Sequence, residues 1–197
     1  MTSDARPGRR PRVDVQRNRK ALLDTAQRHF RERGVDTSLE AIAKETGVGP
    51  ATLYRHFPTR DELLAAVLQM NSDELARRRA EIERSDDPAT ALERWLRALE
   101  NYFSAFRGLA GPLMSAVQRP DPDNPLTIPC DALVLATQHF VESAQTEGRV
   151  RQEVRGSDLF LAACSLASIR SNGADDESLA RLRSLISSGY RESDAPP

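Results

Sequence analysis

The sequence is poor in the residues that carry most enzyme and metal chemistry. Of its 197 residues only two are cysteine and three are histidine. Cys130 and Cys164 sit in no metal-binding or redox spacing and read as free thiols of a reducing compartment. His29, His56 and His139 are scattered, without the spacing of zinc ligands. A G-x-S-x-G elbow, a P-loop and a dinucleotide-binding fingerprint are all missing. No catalytic residue, no metal and no cofactor are therefore expected. Aromatic residues are 5% of the chain, and β-branched runs are scarce. No apolar stretch approaches the roughly 20 residues that span a bilayer. The opening MTSDARPGRRPR has no apolar segment after its charges, so a secretory signal is not expected there. The expectation is a cytoplasmic protein with no membrane contact.

Ala, Leu, Arg and Glu are plentiful instead, and these favour helix. With 39% hydrophobic and 29% charged residues, the chain has enough apolar side chain for a packed core. An all-α fold follows. The net charge of -1 conceals a split: residues 1–60 hold 13 Lys and Arg against 7 Asp and Glu, and the remainder holds 15 against 22. A basic first third points to a polyanionic partner, although a solvated basic tail carries the same charge.

Residues 1–15 are rich in Arg and Pro, have no apolar period, and read as a mobile arm. Arg6, Arg9, Arg10 and Arg12 could enter a minor groove or make loose phosphate contacts. A helix is predicted from about Arg17 to Arg33, with Leu22, Leu23, Ala26 and Phe30 inward and Gly34 as its stop. Thr37-Ser38-Leu39-Glu40 fits a capping box, with Thr37 as cap and Glu40 reaching back. The short helix that follows ends at Thr46-Gly47. Pro50 opens another, because proline in the first helical position loses no needed hydrogen bond. Pro58 closes that helix just after Phe57. Thr59 caps a fourth helix that could run to about Arg84, before Asp86-Asp87-Pro88. Further helices are expected at about Ala89–Phe106, Leu109–Val117, Cys130–Glu147, Gly156–Arg170 and Asp175–Gly189. The segment Arg119–Pro129 holds four prolines and reads as a loop, and 191–197 reads as a disordered tail.

The span from Leu39 to Phe57 has the marks of a helix-turn-helix. Ala43 is small where two helices would cross, and Gly47 tolerates the positive φ of a tight turn. On a wheel at 100° per residue, Leu53 and Phe57 fall together, inward. Ala51, Thr52, Arg55 and His56 fall opposite, with Tyr54 on the flank. That outer face has little bulk at its N-terminal end and carries hydroxyl, guanidinium and imidazole groups, as a helix entering a major groove requires. A helical hairpin with a polar face fits the same spacing.

Residues 18–68 closely resemble the N-terminal domain of the TetR family of bacterial regulators. The stretch AIAKETGVGPATLYRHFPTRDELL at 41–64 looks like the family signature, including Tyr54, His56 and Phe57. The resemblance implies a dimer whose two recognition helices enter successive major grooves of double-stranded DNA at a pseudo-palindromic operator. It implies DNA contacts at Thr37 and Ser38, at Pro50, Ala51, Thr52, Tyr54 and His56, and at Arg60, a position commonly lysine in the family. Gly49 and Pro50 offer no polar side chain where many members have one.

The same resemblance implies that residues from about 70 onward form a larger C-terminal helical domain for ligand binding and dimerisation. The division expected is an arm at 1–15, a three-helix DNA-binding domain at 16–69, an effector-binding and dimerisation domain at 70–190, and the tail. Trp95, Leu99, Phe103 and Phe106 share a broad face that, with Met114 and Phe140, could line an apolar pocket for a small-molecule effector. Ordinary core packing is the plainer reading for any single one of them, with Trp95 and Phe103 the foremost pocket candidates. Leu159, Ala163 and Leu166 on one helix and Leu182, Leu185 and Ile186 on the next are candidates for a four-helix homodimer interface, or for packing within one chain. The function expected is a transcription regulator, a repressor released from its operator by a ligand. A helical carrier or enzyme, and a protein-interaction module, are the alternatives.

Overall fold

The computed structural model describes residues 11–85 and 87–192; Arg6, Arg9, Arg10 and the tail at 193–197 lie outside the described residues. Ten α-helices and no strand occur among the described residues. The first four are α1 (Pro11–Arg33), α2 (Leu39–Thr46), α3 (Pro50–His56) and α4 (Arg60–Met70). They bury Leu22, Ala26, Phe30, Ile42, Leu53, Phe57, Leu63 and Leu64, part of one continuous core shared with the later helices. The other six are α5 (Ser72–Ser85), α6 (Pro88–Ser104), α7 (Ala110–Gln118), α8 (Thr127–Thr146), α9 (Gly156–Ser171) and α10 (Asp176–Tyr190).

Four expectations are corrected. Helix α1 starts at Pro11, not near Arg17, so residues 11–15, Arg12 among them, belong to a helix; proline is at home in such a first turn. The predicted long fourth helix is two helices, broken at Asn71. The Asn71 side chain donates to Val67 O at 2.9 Å and accepts from Gln27 at 2.8 Å, a side-chain alternative to the helical ladder. Helix α8 starts at Thr127 and carries Pro129 in its first turn, where its missing N–H costs nothing. Arg191, expected in the tail, pairs with Val150 in an isolated bridge.

Helix α6 is the centre of the larger part. Its Trp95, Leu99 and Phe103 are at most 1% exposed. Trp95 stacks on Phe140 at 5.4 Å and donates to Thr137 Oγ1 at 2.9 Å. Phe103 meets Phe160 edge-on at 5.4 Å. The loop after α6 also docks the first helices. Val35 N–H donates to Arg107 O at 2.9 Å, and the Arg107 guanidinium donates to Arg33 O at 3.2 Å. Arg31 lies over the Phe106 ring, 5.7 Å from its centre. Gly34 makes this close approach possible: its φ is +88°, and a Cβ there would stand 2.9 Å from Arg107 O.

Two glycine substitutions separate these effects. Gly47 has φ +76° with nothing near its Cβ direction, so Gly47→Ala should cost only the left-handed conformation, about 1–2 kcal/mol. Gly34→Ala should cost more, because the Arg107 contact must open as well. Urea midpoints compare the two; equal losses would mean that the docking contributes nothing.

Candidate nucleic-acid interface and effector cavity

The exposed side of α3 is built from the turn that precedes it. Gly47 ends α2 in the left-handed conformation, and Val48 N–H closes on Ala43 O at 3.1 Å. Gly49 then caps α3 through its carbonyl, which accepts from Thr52 and Leu53 at 2.9 and 3.2 Å. Leu53 and Phe57 point inward, and Arg19 covers the Phe57 ring at 5.2 Å. Pro50, Ala51, Tyr54 and Arg55 are exposed, and Thr52 and His56 are half-buried. Tyr54, which the wheel leaves on the flank, is 41% exposed. Helix α2 is pinned to α1 by Glu45, whose carboxylate pairs with Arg28 at 2.8 Å and with the buried His29 at 2.5 Å.

The cap of α2 is Ser38, not Thr37: the Ser38 hydroxyl accepts from Ala41 N–H at 3.2 Å. Thr37 lies one residue too early, in a turn whose N–H donates to Gly34 O. Glu40 does not reach back to Thr37. One of its oxygens accepts from Ser38 Oγ at 2.8 Å and the other from Tyr54 OH at 2.7 Å. The Tyr54 and Ser38 hydrogen bonds together hold the Glu40 carboxyl down at about 2 and the Tyr54 bond raises the phenol above its ordinary value. Two hydroxyls expected to meet DNA are thus held by one carboxylate on the same face.

Arg60 is committed as well. Its Nη1 donates to Val35 O at 2.5 Å and to Thr37 O at 2.6 Å. It fastens the α1–α2 turn to α4.

In the larger part, α4, α5, α6, α7 and α8 surround an apolar cavity of about 240 Å³. Trp95 and Phe103 line it, with Leu75, Tyr102, Leu113 and Leu133. Gln69, Ser72 and Arg79 bring the polar groups. The Tyr102 hydroxyl is spent on Leu68 O at 2.8 Å, and burial pushes that phenol up to about 12. Cys130 is also in the lining; burial pushes its thiol up to about 12, so it is present as a neutral apolar group. The other four expected pocket residues are not in this lining: Leu99, Phe106 and Phe140 are buried core, and Met114 is partly buried against that core. No group of His, Cys, Asp or Glu among the described residues is placed to hold a metal ion, and none of their helices is long and apolar enough to cross a membrane.

Two family models match the chain. The model of bacterial regulatory proteins of the TetR family covers residues 22–67, and that of the SbtR-like transcriptional regulator C-terminal domain covers residues 87–192. The chain belongs to the TetR family. A curated relative is an HTH-type transcriptional regulator of Staphylococcus aureus, 41% identical over 63 residues. That match spans 32% of this chain and 34% of the relative, so it concerns about a third of each. Among solved structures, the TetR transcriptional regulator SCO0520 of Streptomyces coelicolor is 31% identical. It covers 89% of this chain and 99% of its own, with a TM-score of 0.58. A TetR regulatory protein of Mycobacterium vanbaalenii is 25% identical, covering 91% and 98%, with a TM-score of 0.52.

Within this TetR-family chain, sequence reasoning brought the α3 residues together but missed Glu40 as a partner of Tyr54, and Arg107 as the dock for the α1–α2 turn. Neither has a local signal, since 14 and 72 positions separate the partners. Leu159, Ala163 and Leu166 are buried within their own chain, while Ile169 and Leu185 are 39% and 68% exposed. Leu182 is half-buried, and Ile186 packs partly against the core.

The Glu40 bonds set a pH test. A carboxyl with a depressed pKa contributes above its ordinary value and loses its partners as pH falls through the depressed one. The Glu40 carboxyl carbon should therefore titrate near 2 by NMR rather than near 4.5, and Tyr54→Phe should raise the midpoint. A wild-type midpoint near 4.5 would mean that the Tyr54 and Ser38 bonds do not persist in solution.

Proposed function

We propose that this chain is a DNA-binding transcription regulator of the bacterial cytoplasm, acting as a repressor. The reading is carried by one observation: α3 presents Pro50, Ala51, Tyr54 and Arg55 outward while Leu53 and Phe57 are buried in the core. Residues 16–69 act as the DNA-binding unit, and 70–190 as the effector and dimerisation unit. Ala51 and the Thr52 methyl contact thymine methyls, and Arg55 meets guanine or phosphate. Ser38, Tyr54 and His56 fix the register through phosphates. Thr37 lies in the turn that aims α2 at the DNA backbone, and Arg60 holds that turn from α4.

Two chains pair through the outward ridge of α9 and α10, where Ile169 and Leu185 are exposed. A two-fold dimer requires an operator with two half-sites about 10 base pairs, or a multiple of that, apart. The apolar cavity takes a small effector. Its walls include Tyr102 and Leu68, and Tyr102 and the Phe106–Arg107 docking of α1 share α6 and the loop that follows it. A ligand that moves α6 therefore moves the DNA-binding unit, and altered spacing of two recognition helices lowers affinity because both half-sites can no longer be met. The protein acts by binding, not by catalysis.

Selection of bound duplexes from a random library tests the reading. The expected outcome is a two-fold site, with Thr52→Ala changing the bases preferred; recovery of no enriched sequence at low salt would reject it. Arg55→Ala should reduce the salt slope of binding by about one. Arg60→Ala should lower the thermal midpoint as well as DNA affinity, since it also removes two hydrogen bonds to backbone carbonyls. Unchanged stability would leave it a phosphate contact alone.

A further inference from the structure

A second opening lies around α6 from the effector cavity, between α6, α9 and α10. It is a half-open cleft of about 230 Å³. Small side chains leave it empty: Ala162 and Ala163 on α9 face Ala180 and Ser184 on α10 across it. Its apolar surface comes from Leu96, Leu166 and Ile186.

Ion pairs bridge the ends of the cleft. Glu100 is a buried carboxylate, 1% exposed. Both of its oxygens are taken, one by Arg170 and Arg183 at 2.8 and 2.7 Å, the other by Arg183 at 2.8 Å. Glu93 pairs with Arg191 and accepts from Ser187 at 3.4 Å. Burial raises the Glu100 carboxyl and the two guanidiniums more than reverse that, so it is a carboxylate at neutral pH. Around the cleft stand Arg97, Arg170, Arg183 and Arg191 against Glu93, Glu100 and the exposed Asp176, which pairs with Arg170 at 3.6 Å. Each carboxylate has a guanidinium partner. Arg97 lines the cleft and has no side-chain partner among the described residues. The local charge left for a ligand is positive.

We propose that this cleft is a second small-molecule site and that it takes a small amphipathic carboxylic acid. The apolar body lies on Leu96, Leu166 and Ile186, and the carboxylate meets Arg97 and the free N–H groups of Arg183. A guanidinium paired with a carboxylate makes strong, directional hydrogen bonds, and the emptied cavity is of the kind that gains packing when filled. Its volume lies below the roughly 300–1,000 Å³ of drug-sized sites, so the ligand is small. Leu185, on the outward side of α10, is not part of its lining. An occupant would tie α10 to α6, the helix that also walls the effector cavity.

Calorimetric titration of the full chain with octanoate and with benzoate tests this, with 1-octanol and benzamide as neutral counterparts. Two acids are used because the chemistry fits an aliphatic or an aromatic body. At least one should bind, one per chain, and about tenfold more tightly than its neutral counterpart. Arg97→Gln, an exposed change that leaves the cleft volume intact, should weaken it by about tenfold. Ala162→Phe should abolish binding, and Ala132→Trp, at the wall of the other cavity, should leave it unchanged. Thermal midpoints confirm that each variant is folded. The proposal is overturned if neither acid binds at millimolar concentration, or if the neutral counterpart binds as well. It is overturned too if Ala162→Phe or Arg97→Gln binds like the wild type, or if Ala132→Trp abolishes binding. Loss of dimer mass on Ala162→Phe would mean that a second copy occupies the cleft, and would overturn it as well.

Discussion

The buried face of α6 is the constraint on which the rest depends. Trp95, Leu99 and Phe103 repeat at four-residue spacing and so lie on one stripe, and all are essentially removed from water. Burial of three such side chains contributes several kcal/mol, at roughly 1.5–3 for each large apolar group. Trp95 adds a polar requirement. Its indole N–H would be costly to bury unpaired, and Thr137 on α8 satisfies it. That bond fixes the rotation of α8 against α6 more narrowly than apolar packing alone would.

Because α6 is fixed, what surrounds it is fixed too. Its buried face borders the apolar cavity through Trp95 and Phe103, another side carries Glu100, and the loop at its end delivers Phe106 and Arg107 to the first helices. The route from cavity to DNA-facing helices is therefore short. It runs through Tyr102 to Leu68 O, and through Arg107 to the turn at Gly34 and Val35. The same turn is gripped from the other side by Arg60. A displacement of α6 has little slack to absorb it, because close-packed interiors transmit strain.

The DNA-facing surface itself is held in an occupied state. Ser38 and Tyr54 both donate to Glu40. Before either hydroxyl can donate to a phosphate, its bond to the carboxylate must be exchanged. On the face proposed to meet DNA, a negative carboxylate also weakens indiscriminate binding, which is mainly electrostatic. With the base contacts proposed for Ala51, Thr52 and Arg55, affinity would be concentrated on sites where those contacts compensate.

The sequence by itself determined the all-helical class, the turn at Gly47, the proline start of α3 and the inward pair Leu53 and Phe57. Each is a local rule of period, capping or backbone conformation, and each needs only a few neighbouring residues. The resemblance at 18–68 was legible for the same reason. Tertiary structure alone decided which partner Glu40 takes, where the fourth helix breaks, and that Arg60 serves the backbone of the α1–α2 turn. It also decided that Leu159, Ala163 and Leu166 are buried within their own chain, and that Trp95 and Phe103 border a cavity while Leu99 does not. Those outcomes rest on contacts between side chains tens of residues apart. A stripe of leucine reports that a face will be buried; which element buries it is settled only when the helices have packed.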